Sequence, residues 1–315
     1  MKKWILKAIV QKITSYLPFS NKINYVFQKY VTKGVYLSDE YFYDRLGHAK
    51  AHLAAFQKHS STAQHSTSIR PKNALELGTG WYPVVPISFY LVGVETTYSV
   101  DISFLTSKER IFTTLQQFQN AHKNGKLNEY LDVLPEKWAK LSILIANYDD
   151  YSLEDVLKYL NLVYLIEDAR ALSLPDGSID LVNSNNTFEH IYPSILISIL
   201  KDFKRVVNKE RGIMSHFIDM SDHFAHFDKS INIYNFLQFS DETWQWIDND
   251  IQPMSRLRID DYKQIYADLG IKIDTEDNRK GRIDELRSIK LAEKYSKKPL
   301  EIIAISHCHF ISTSY

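Results

Sequence analysis

Two patterns of apolar residues alternate along the chain. Short, largely apolar runs bounded by Gly, Asp, Asn or Pro have the length and composition of buried strands. Between them lie longer stretches in which apolar residues recur every three or four positions, as along one face of a helix. Strands that alternate with helices predict an α/β fold with a mostly parallel sheet covered on both faces. The predicted strands are 73–77, 97–100, 162–166, 180–182, 213–218, 271–273 and 302–310.

The helical patterns divide the chain into a helical segment and a larger domain. Helical spacing dominates the first 58 residues, and the Ser/Thr/Gln/His-rich stretch 59–68 then has the composition of a linker. We therefore assign residues 1–68 to an N-terminal helical segment with its linker. Residues 69–315 form the main domain, whose size is typical of one folding unit.

The stretch between the second and third strands is unusually long. Such folds normally place one helix there, whereas this sequence has room for helices at 107–121, 131–145 and 153–160. Residues 103–160 are therefore predicted to be a helical insertion on the rim of the sheet.

The N-terminal stretch 1–17 carries most of its apolar residues on one helical face, with lysines interspersed. It is shorter than the ~20 apolar residues of a membrane span, and its lysines interrupt the apolar core of a signal peptide. Two interpretations stay open: peripheral membrane contact, or a helix that packs on the main domain or on the partner in a homodimer. We favour packing, because helical pattern resumes after Pro18.

Composition narrows the classes of partner. Apolar residues make up 44% of the 315 residues, which is typical of a globular protein. Lys+Arg 38 balances Asp+Glu 38, so nucleic acid is disfavoured as a partner. The single Cys308 excludes an internal disulfide framework and favours a reducing cytoplasm.

The first predicted strand runs directly into a glycine turn. Glu76 stands near the end of the strand, and Gly78 and Gly80 let the backbone turn tightly and approach a ligand. A helix predicted from Val84 to Val92 would point its free N–H groups at that turn. The dinucleotide motif G-x-G-x-x-G needs a third glycine where this sequence has Pro83, so a nicotinamide cofactor is disfavoured.

An acid also ends the second strand. Asp101 follows the glycine turn by about 20 residues, the spacing expected of an acid that accepts hydrogen bonds from ribose hydroxyls. Parallel strands present their carboxyl ends to one crevice, so Asp101 and the turn are expected to face the same ligand.

Three segments together resemble class I S-adenosylmethionine (SAM) methyltransferases, of the type related to ubiquinone and menaquinone biosynthesis (methyltransferase type 11). They are Glu76-Leu77-Gly78-Thr79-Gly80, Glu167-Asp168-Ala169-Arg170 and Leu174-Pro175-Asp176-Gly177-Ser178-Ile179-Asp180-Leu181-Val182. The resemblance implies a Rossmann-like seven-stranded sheet with one antiparallel strand near the C-terminus. It also implies SAM as cofactor and methyl transfer to a small-molecule acceptor.

The resemblance assigns cofactor contacts residue by residue. Asp168 matches the acid that accepts from the adenine amino group, with the Ala169 amide facing the ring. Asn185 and Asn186, just past the fourth strand, are candidates to contact the methionine part or the acceptor. The full set of implied cofactor residues is Glu76, Gly78, Thr79, Gly80, Asp101, Ile102, Asp168, Ala169 and Asn185.

Two histidines are candidate general bases. His190 follows the fourth strand, and His223 lies in an Asp/His-rich loop, 216–226, after the fifth strand. In that loop Asp219 or Asp222 would orient His223; a structural loop ranks second and a metal site third. Because no spacing matches a known metal signature, no metal is predicted.

Residues 233–246 are rich in aromatics, and packing is the expected role. Arg256 and Arg258 are candidates either to pair with an acidic group of a substrate or to lie on the surface.

The sequence therefore favours a SAM-dependent methyltransferase that acts on an oxygen or carbon of a small molecule. Two alternatives stay open: a methyltransferase-like module that binds without turnover, and a nicotinamide-dependent oxidoreductase on a Rossmann sheet.

Overall fold

A computed structural model of the chain describes residues 2–16, 36–62 and 70–313. Its centre is a seven-stranded sheet in the order β3-β2-β1-β4-β5-β7-β6. Neighbouring strands from β1 to β5 pair in parallel, and β7 is antiparallel to both β5 and β6. This arrangement confirms the predicted fold class. The strands are β1 Asn73–Leu77, β2 Thr96–Asp101, β3 Leu162–Ile166, β4 Leu181–Asn185, β5 Ile213–Asp219, β6 Thr275–Arg279 and β7 His307–Ser312.

Helices cover both faces of the sheet and cap one end. They are α1 Lys3–Ser15, α2 Asp39–Thr62, α3 Val84–Leu91, α4 Lys108–Lys123, α5 Pro135–Ala146, α6 Leu153–Tyr159, α7 Pro193–Val206, α8 Phe224–Phe227, α9 Asp241–Ile247, α10 Ile259–Asp268, α11 Ile283–Arg287, α12 Glu293–Ser296 and α13 Leu300–Ala304.

The buried strands have apolar residues on both faces because each face has its own core. Along β1, successive side chains point to opposite sides of the sheet. Ala74 packs in a cluster with Phe42 of α2 and Phe89 of α3. Leu75 packs in a second cluster, which includes Phe203 of α7. The continuous apolar runs of the sequence thus follow from a sheet that is covered twice.

The predicted helical insertion is present as α4, α5 and α6. Phe118, Leu144 and Val156, one from each helix, lie in the same core cluster as α2 and α3. The insertion therefore enlarges the core cluster that contains α2 and α3 rather than forming a separate domain.

The last two strands differ from the sequence-based prediction. The strand predicted at 271–273 is wrong in position, because β6 lies at Thr275–Arg279. β6 is an edge strand with mostly exposed polar residues, so it carries no apolar signal. The strand predicted from 302 begins only at His307, and the apolar residues before it form α13. A short apolar run does not distinguish a strand from a helical turn.

The N-terminal helix α1 packs on the main domain. Trp4 and Ala8 join an aromatic cluster with Phe224 and Trp244, and the Trp4 amide donates to Asp228 at 3.0 Å. The opposite face of α1 leaves Leu6, Ile9, Ile13 and Tyr16 exposed. No helix among the described residues is long and apolar enough to cross a membrane. The helical positions predicted at 23–30 lie outside the described residues.

Helix α2 belongs to the main core and brings polar groups to the sheet. It continues to Thr62, four residues into the predicted linker, and residues 63–69 are not described. His48 Nδ1 and His52 Nε2 contact the amide oxygen of Asn185, at the end of β4, at 2.9 and 3.1 Å. The Asn185 amide nitrogen donates to Glu76 on β1 at 2.8 Å. One amide thus connects α2 to two neighbouring strands.

Two arginines that were candidates for the surface or for a substrate are buried. Arg256 donates to the carbonyl oxygens of Phe236 and Phe239, at 3.0 and 2.7 Å, and pairs with Asp241. Arg258 is fully buried. Both side chains therefore have structural roles.

Arg258 →Met is expected to lower the free energy of unfolding by about 3 kcal/mol or more. The guanidinium donates to the carbonyl oxygens of Met220, Ile303 and Ile305, and each buried acceptor left unpaired costs ~1–3 kcal/mol. Urea unfolding would measure the loss, with the exposed Arg287→Met as matched control. A loss no larger than that of the control would contradict a bracing role.

The buried carboxyl group of Glu76 is expected to make the free energy of unfolding depend on pH. Burial is the main cause that raises the pKa of Glu76 to about 7. Below about pH 4.5 the Glu76 carboxyl group is protonated in both the folded and the unfolded chain. As the pH rises towards about 7, this group ionises in the unfolded chain first, because its pKa is lower there. The wild type should thus lose up to about 3 kcal/mol relative to Glu76→Gln over this window. Urea unfolding of both proteins between about pH 4.5 and 8 tests this, and parallel curves would exclude it.

Candidate functional site

A cavity of about 590 Å³ opens at the carboxyl ends of β1, β2 and β4. The strand ends meet there, as expected for a parallel sheet. Six of the residues that the sequence assigned to the cofactor lie on its wall: Gly78, Gly80, Asp101, Ile102, Asp168 and Ala169. The fold therefore brings together groups that are up to about 90 residues apart in the chain.

The two glycines of the turn shape this cavity in different ways. Gly78 has φ +74°, and a Cβ there would lie 2.7 Å from Thr187 Cγ2, so the turn packs tightly on the loop after β4. Gly80 has φ +70°, and a Cβ there would meet nothing within 4 Å. Gly80 thus leaves open space at the backbone, where a ligand can approach.

Asp101 ends β2 on the cavity wall. Its Oδ1 accepts from the Ser103 amide at 3.3 Å, and burial raises the pKa of its carboxyl group. A carboxylate offers about four acceptor sites, so further donors can bind. This geometry suits the pair of hydroxyls that the sequence assigned to Asp101.

Asp168 and Ile102 stand on the same wall. Arg170 Nε donates to both carboxylate oxygens of Asp168, at 2.9 and 2.8 Å, and this pairing holds the pKa of Asp168 at about 2. Asp168 is therefore ionised and shares its acceptor sites with Arg170. Ile102 is 84% exposed and offers an apolar surface that suits the face of a planar ring.

Three predicted cofactor residues do not line this cavity. Glu76 lies behind the turn, where it accepts from Thr79 Oγ1 at 2.5 Å and from Asn185 Nδ2 at 2.8 Å. The side chains of Glu76, Thr79 and Asn185 are all buried. The cofactor contacts predicted for them remain predictions, and their observed role is to support the turn from below.

Asn186, not Asn185, faces the cavity. It has φ +55°, in the left-handed region that only Asn, Asp and Gly adopt readily. Asn186 also lines a second cavity of about 640 Å³, so the two cavities have this wall residue in common.

The second cavity lies between α2, the end of β5 and the β6–β7 pair. Its polar lining includes Asp44, His48, Asp219, Asp277, Arg279, His307 and His309. The sequence analysis missed the residues from α2, β6 and β7. One available signal was His-x-His at 307–309, because alternate residues of a strand point to the same face.

The two candidate bases lie together, with ring centroids 4.9 Å apart. His190 lines the first cavity, and its Nδ1 lies 2.7 Å from the Pro253 carbonyl oxygen. That carbonyl can only accept, so Nδ1 carries the hydrogen and Nε2 keeps a lone pair. Burial lowers the pKa of His190 to about 4, which leaves the ring neutral.

His223 is in a different state because Asp219 holds it. Its Nε2 lies 3.3 Å from Asp219 Oδ2. Burial opposes a charge on the ring, but the hydrogen bond and charge of Asp219 outweigh burial and raise the pKa of His223. Of the two acids considered from the sequence, Asp219 contacts His223, whereas Asp222 accepts from Asn235 at 3.0 Å.

A family model described as a methyltransferase domain (type 11) matches residues 134–214. The match covers about a quarter of the chain, from α5 to the start of β5. It contains Asp168, Ala169 and the loop after β4, and it ends before the Asp/His-rich loop.

Solved structures share the general architecture at low identity. A protein of Pyrococcus horikoshii aligns with 92% of this chain and 98% of its own at 12% identity, with a TM-score of 0.46. A SAM-dependent methyltransferase of Methanosarcina mazei aligns with 78% of this chain and 92% of its own at 12% identity, with a TM-score of 0.41. Neither similarity is close enough to support an argument about function. No curated protein matches the sequence.

The family match agrees with the fold and the cavity. The sheet contains the antiparallel strand β7 near the C-terminus. The open backbone at Gly80 and the acceptor sites of Asp101 fit an adenosyl group with free ribose hydroxyls. Residues 134–214 therefore resemble a methyltransferase domain of type 11, a family whose cofactor is S-adenosylmethionine.

Proposed function

We propose that this protein transfers a methyl group from SAM to an oxygen or carbon of a polar small molecule bound in the second cavity. The observation that carries the proposal is that the cofactor cavity and the second cavity share Asn186 on their walls. Methyl transfer needs donor and acceptor in line, and two cavities with one shared wall residue provide that approach.

The first cavity would hold the cofactor with groups already in place. Asp101 would accept from the ribose hydroxyls, Asp168 and Ala169 would face the adenine, and Ile102 would cover one face of the ring. When bound, SAM supplies a methyl group on a sulfonium, from which sulfur leaves readily. The protein's own contribution is positioning and the exclusion of water.

The lining of the second cavity supports a polar acceptor. Its acids Asp44, Asp219 and Asp277 accept hydrogen bonds, whereas Arg279 donates them. Mixed donors and acceptors suit hydroxyl or amine groups better than an apolar ring. A dedicated acceptor space of this size favours turnover over a module that only binds SAM.

The state of His190 supports an acceptor that loses a proton. Its Nε2 presents a lone pair at the cavity, which can accept a proton or bind a cation. An amine acceptor can be methylated in its free-base form without such a group, whereas a hydroxyl or an acidic carbon must lose its proton. We therefore infer transfer to oxygen or carbon, and we place the removal of the proton at His190, which shares the wall of the first cavity with Asn186.

Asp101→Ala is expected to weaken binding of the product S-adenosylhomocysteine by at least about 100-fold and to leave the fold intact. Two hydrogen bonds to a charged group contribute ~1.5–3 kcal/mol each, and 1.4 kcal/mol corresponds to a factor of ten. Calorimetry would measure the affinity, with NADH titrated into the wild type to test the oxidoreductase alternative.

Asp176→Ala is the matched control for that experiment. Asp176 is exposed and pairs with Arg205 on the turn before β4, away from the cavity. Equal affinity of the Asp101 and Asp176 variants would exclude the ribose assignment.

His190→Gln is expected to lower kcat for methyl transfer by ~10²–10⁴-fold, the usual contribution of proton transfer. Binding of S-adenosylhomocysteine should persist, because His190 is not among the residues proposed to contact the adenosine. Labelled SAM supplied with small-molecule extracts gives the assay. His122→Gln, on the insertion and stacked on Trp138, is the control. Unchanged kcat with the identified acceptor would remove His190 from the reaction.

A further inference from the structure

Three potential metal ligands converge beside the cofactor cavity. Glu189 and His190 lie on the short 3-10 turn Phe188–His190 after β4, and His223 lies on the loop after β5. One ligand atom from each residue falls within 4.8 Å of the others. Parallel neighbouring strands bring these two loops to the same edge of the sheet, although the residues are more than 30 positions apart.

Glu189 is the unusual member of this group. It is 5% exposed, and neither carboxylate oxygen has a hydrogen-bond partner within the described part of the chain. Buried polar side chains are nearly always hydrogen-bonded, and an unpaired buried acid is costly. A cation between Glu189 and the two histidines would satisfy both oxygens.

The two histidines are already oriented as metal ligands are. His190 Nδ1 is held by the Pro253 carbonyl oxygen at 2.7 Å, which leaves Nε2 available. His223 Nε2 lies 3.3 Å from Asp219 Oδ2, and its Nδ1 accepts from the Gln252 amide nitrogen at 3.2 Å, a donor that a metal ion at Nδ1 would displace. Ligating histidines commonly donate their second ring N–H to a carbonyl or a carboxylate in this way.

We propose that Glu189, His190 and His223 form a binding site for a divalent transition-metal ion such as Zn²⁺. Two imidazoles and one carboxylate are a donor set that such ions accept, with ligand bonds of about 2.0–2.2 Å for Zn²⁺. Mg²⁺ and Ca²⁺ prefer oxygen ligands and are not expected. Three protein ligands leave a coordination position open, and His190 stands on the wall of the cofactor cavity.

The site was not predicted from the sequence because its ligands come from two separate loops. A contiguous metal signature places its ligands on one helix or one loop, whereas Glu189-His190 and His223 meet only through the sheet. A metal here would occupy the His190 lone pair and would lower the pKa of a bound hydroxyl group in place of a histidine base. The metal site itself does not depend on the proposed methyl transfer.

The experiment is Zn²⁺ binding to tag-free protein, measured by calorimetry and by metal content after dialysis. We expect one Zn²⁺ per chain and a rise in unfolding temperature on addition of Zn²⁺, since a ligand that binds only the folded state stabilises it. Co²⁺ should give visible absorption bands that respond to the same substitutions.

Substitutions distinguish the proposed metal ligands from residues that only neighbour them. Glu189→Gln and His223→Gln should weaken Zn²⁺ binding by more than about 100-fold, and Asp219→Asn by about 10–100-fold, as loss of a partner that orients a ligand does. His122→Gln should bind Zn²⁺ as the wild type does. Because Gln replaces a buried carboxyl of similar shape, metal-free Glu189→Gln should unfold at or above the wild-type temperature.

Two results would overturn the proposal: no Zn²⁺ or Co²⁺ binding by the wild type, or wild-type affinity in Glu189→Gln. If Glu189→Gln fails to fold, His223→Gln and His190→Gln decide in the same way. Binding of S-adenosylhomocysteine is measured on each sample, so loss of the metal site is distinguishable from loss of the cofactor site.

Discussion

The side-chain amide of Asn185 is the interaction on which the site depends. Its oxygen contacts His48 and His52 of α2, and its nitrogen donates to Glu76 of β1. These bonds fix the end of β4 against both α2 and the glycine turn. The next residue, Asn186, has a left-handed backbone conformation and lines both cavities. Asn185 thus belongs to a buried supporting layer with His52 and Glu76, whereas Asn186 lies on the cavity walls.

These contacts explain why α2 is part of the main core. α2 contributes apolar residues to the core and polar residues to the wall of the second cavity. Removal of α2 would expose Asn185 and Glu76 to water and would open the second cavity on one side. In this protein the proposed acceptor space is thus built jointly by the helical segment and the sheet.

The buried polar groups fall into two classes. Arg256, Arg258 and Asn185 each make several hydrogen bonds inside the protein, and they stabilise the structure. Glu189 has no such partner among the described residues, although it is as deeply buried. Because an unpaired buried acid costs stability, its presence beside two oriented histidines is better explained by a ligand than by packing.

The sequence determined the elements with strong local signals. The apolar runs of β1 to β5, the positive-φ glycines at 78 and 80, and the acids that end β2 and β3 were all identified, because strand burial and turn geometry are imposed locally. The tertiary structure alone decided which polar groups became partners. The position of β6 differed from the prediction, since an exposed edge strand has no apolar pattern. Arg258 is buried because carbonyl groups of distant segments accept its hydrogen bonds. The tertiary structure also joined Glu189 to His223, because contacts between loops depend on strand order rather than on spacing in the chain.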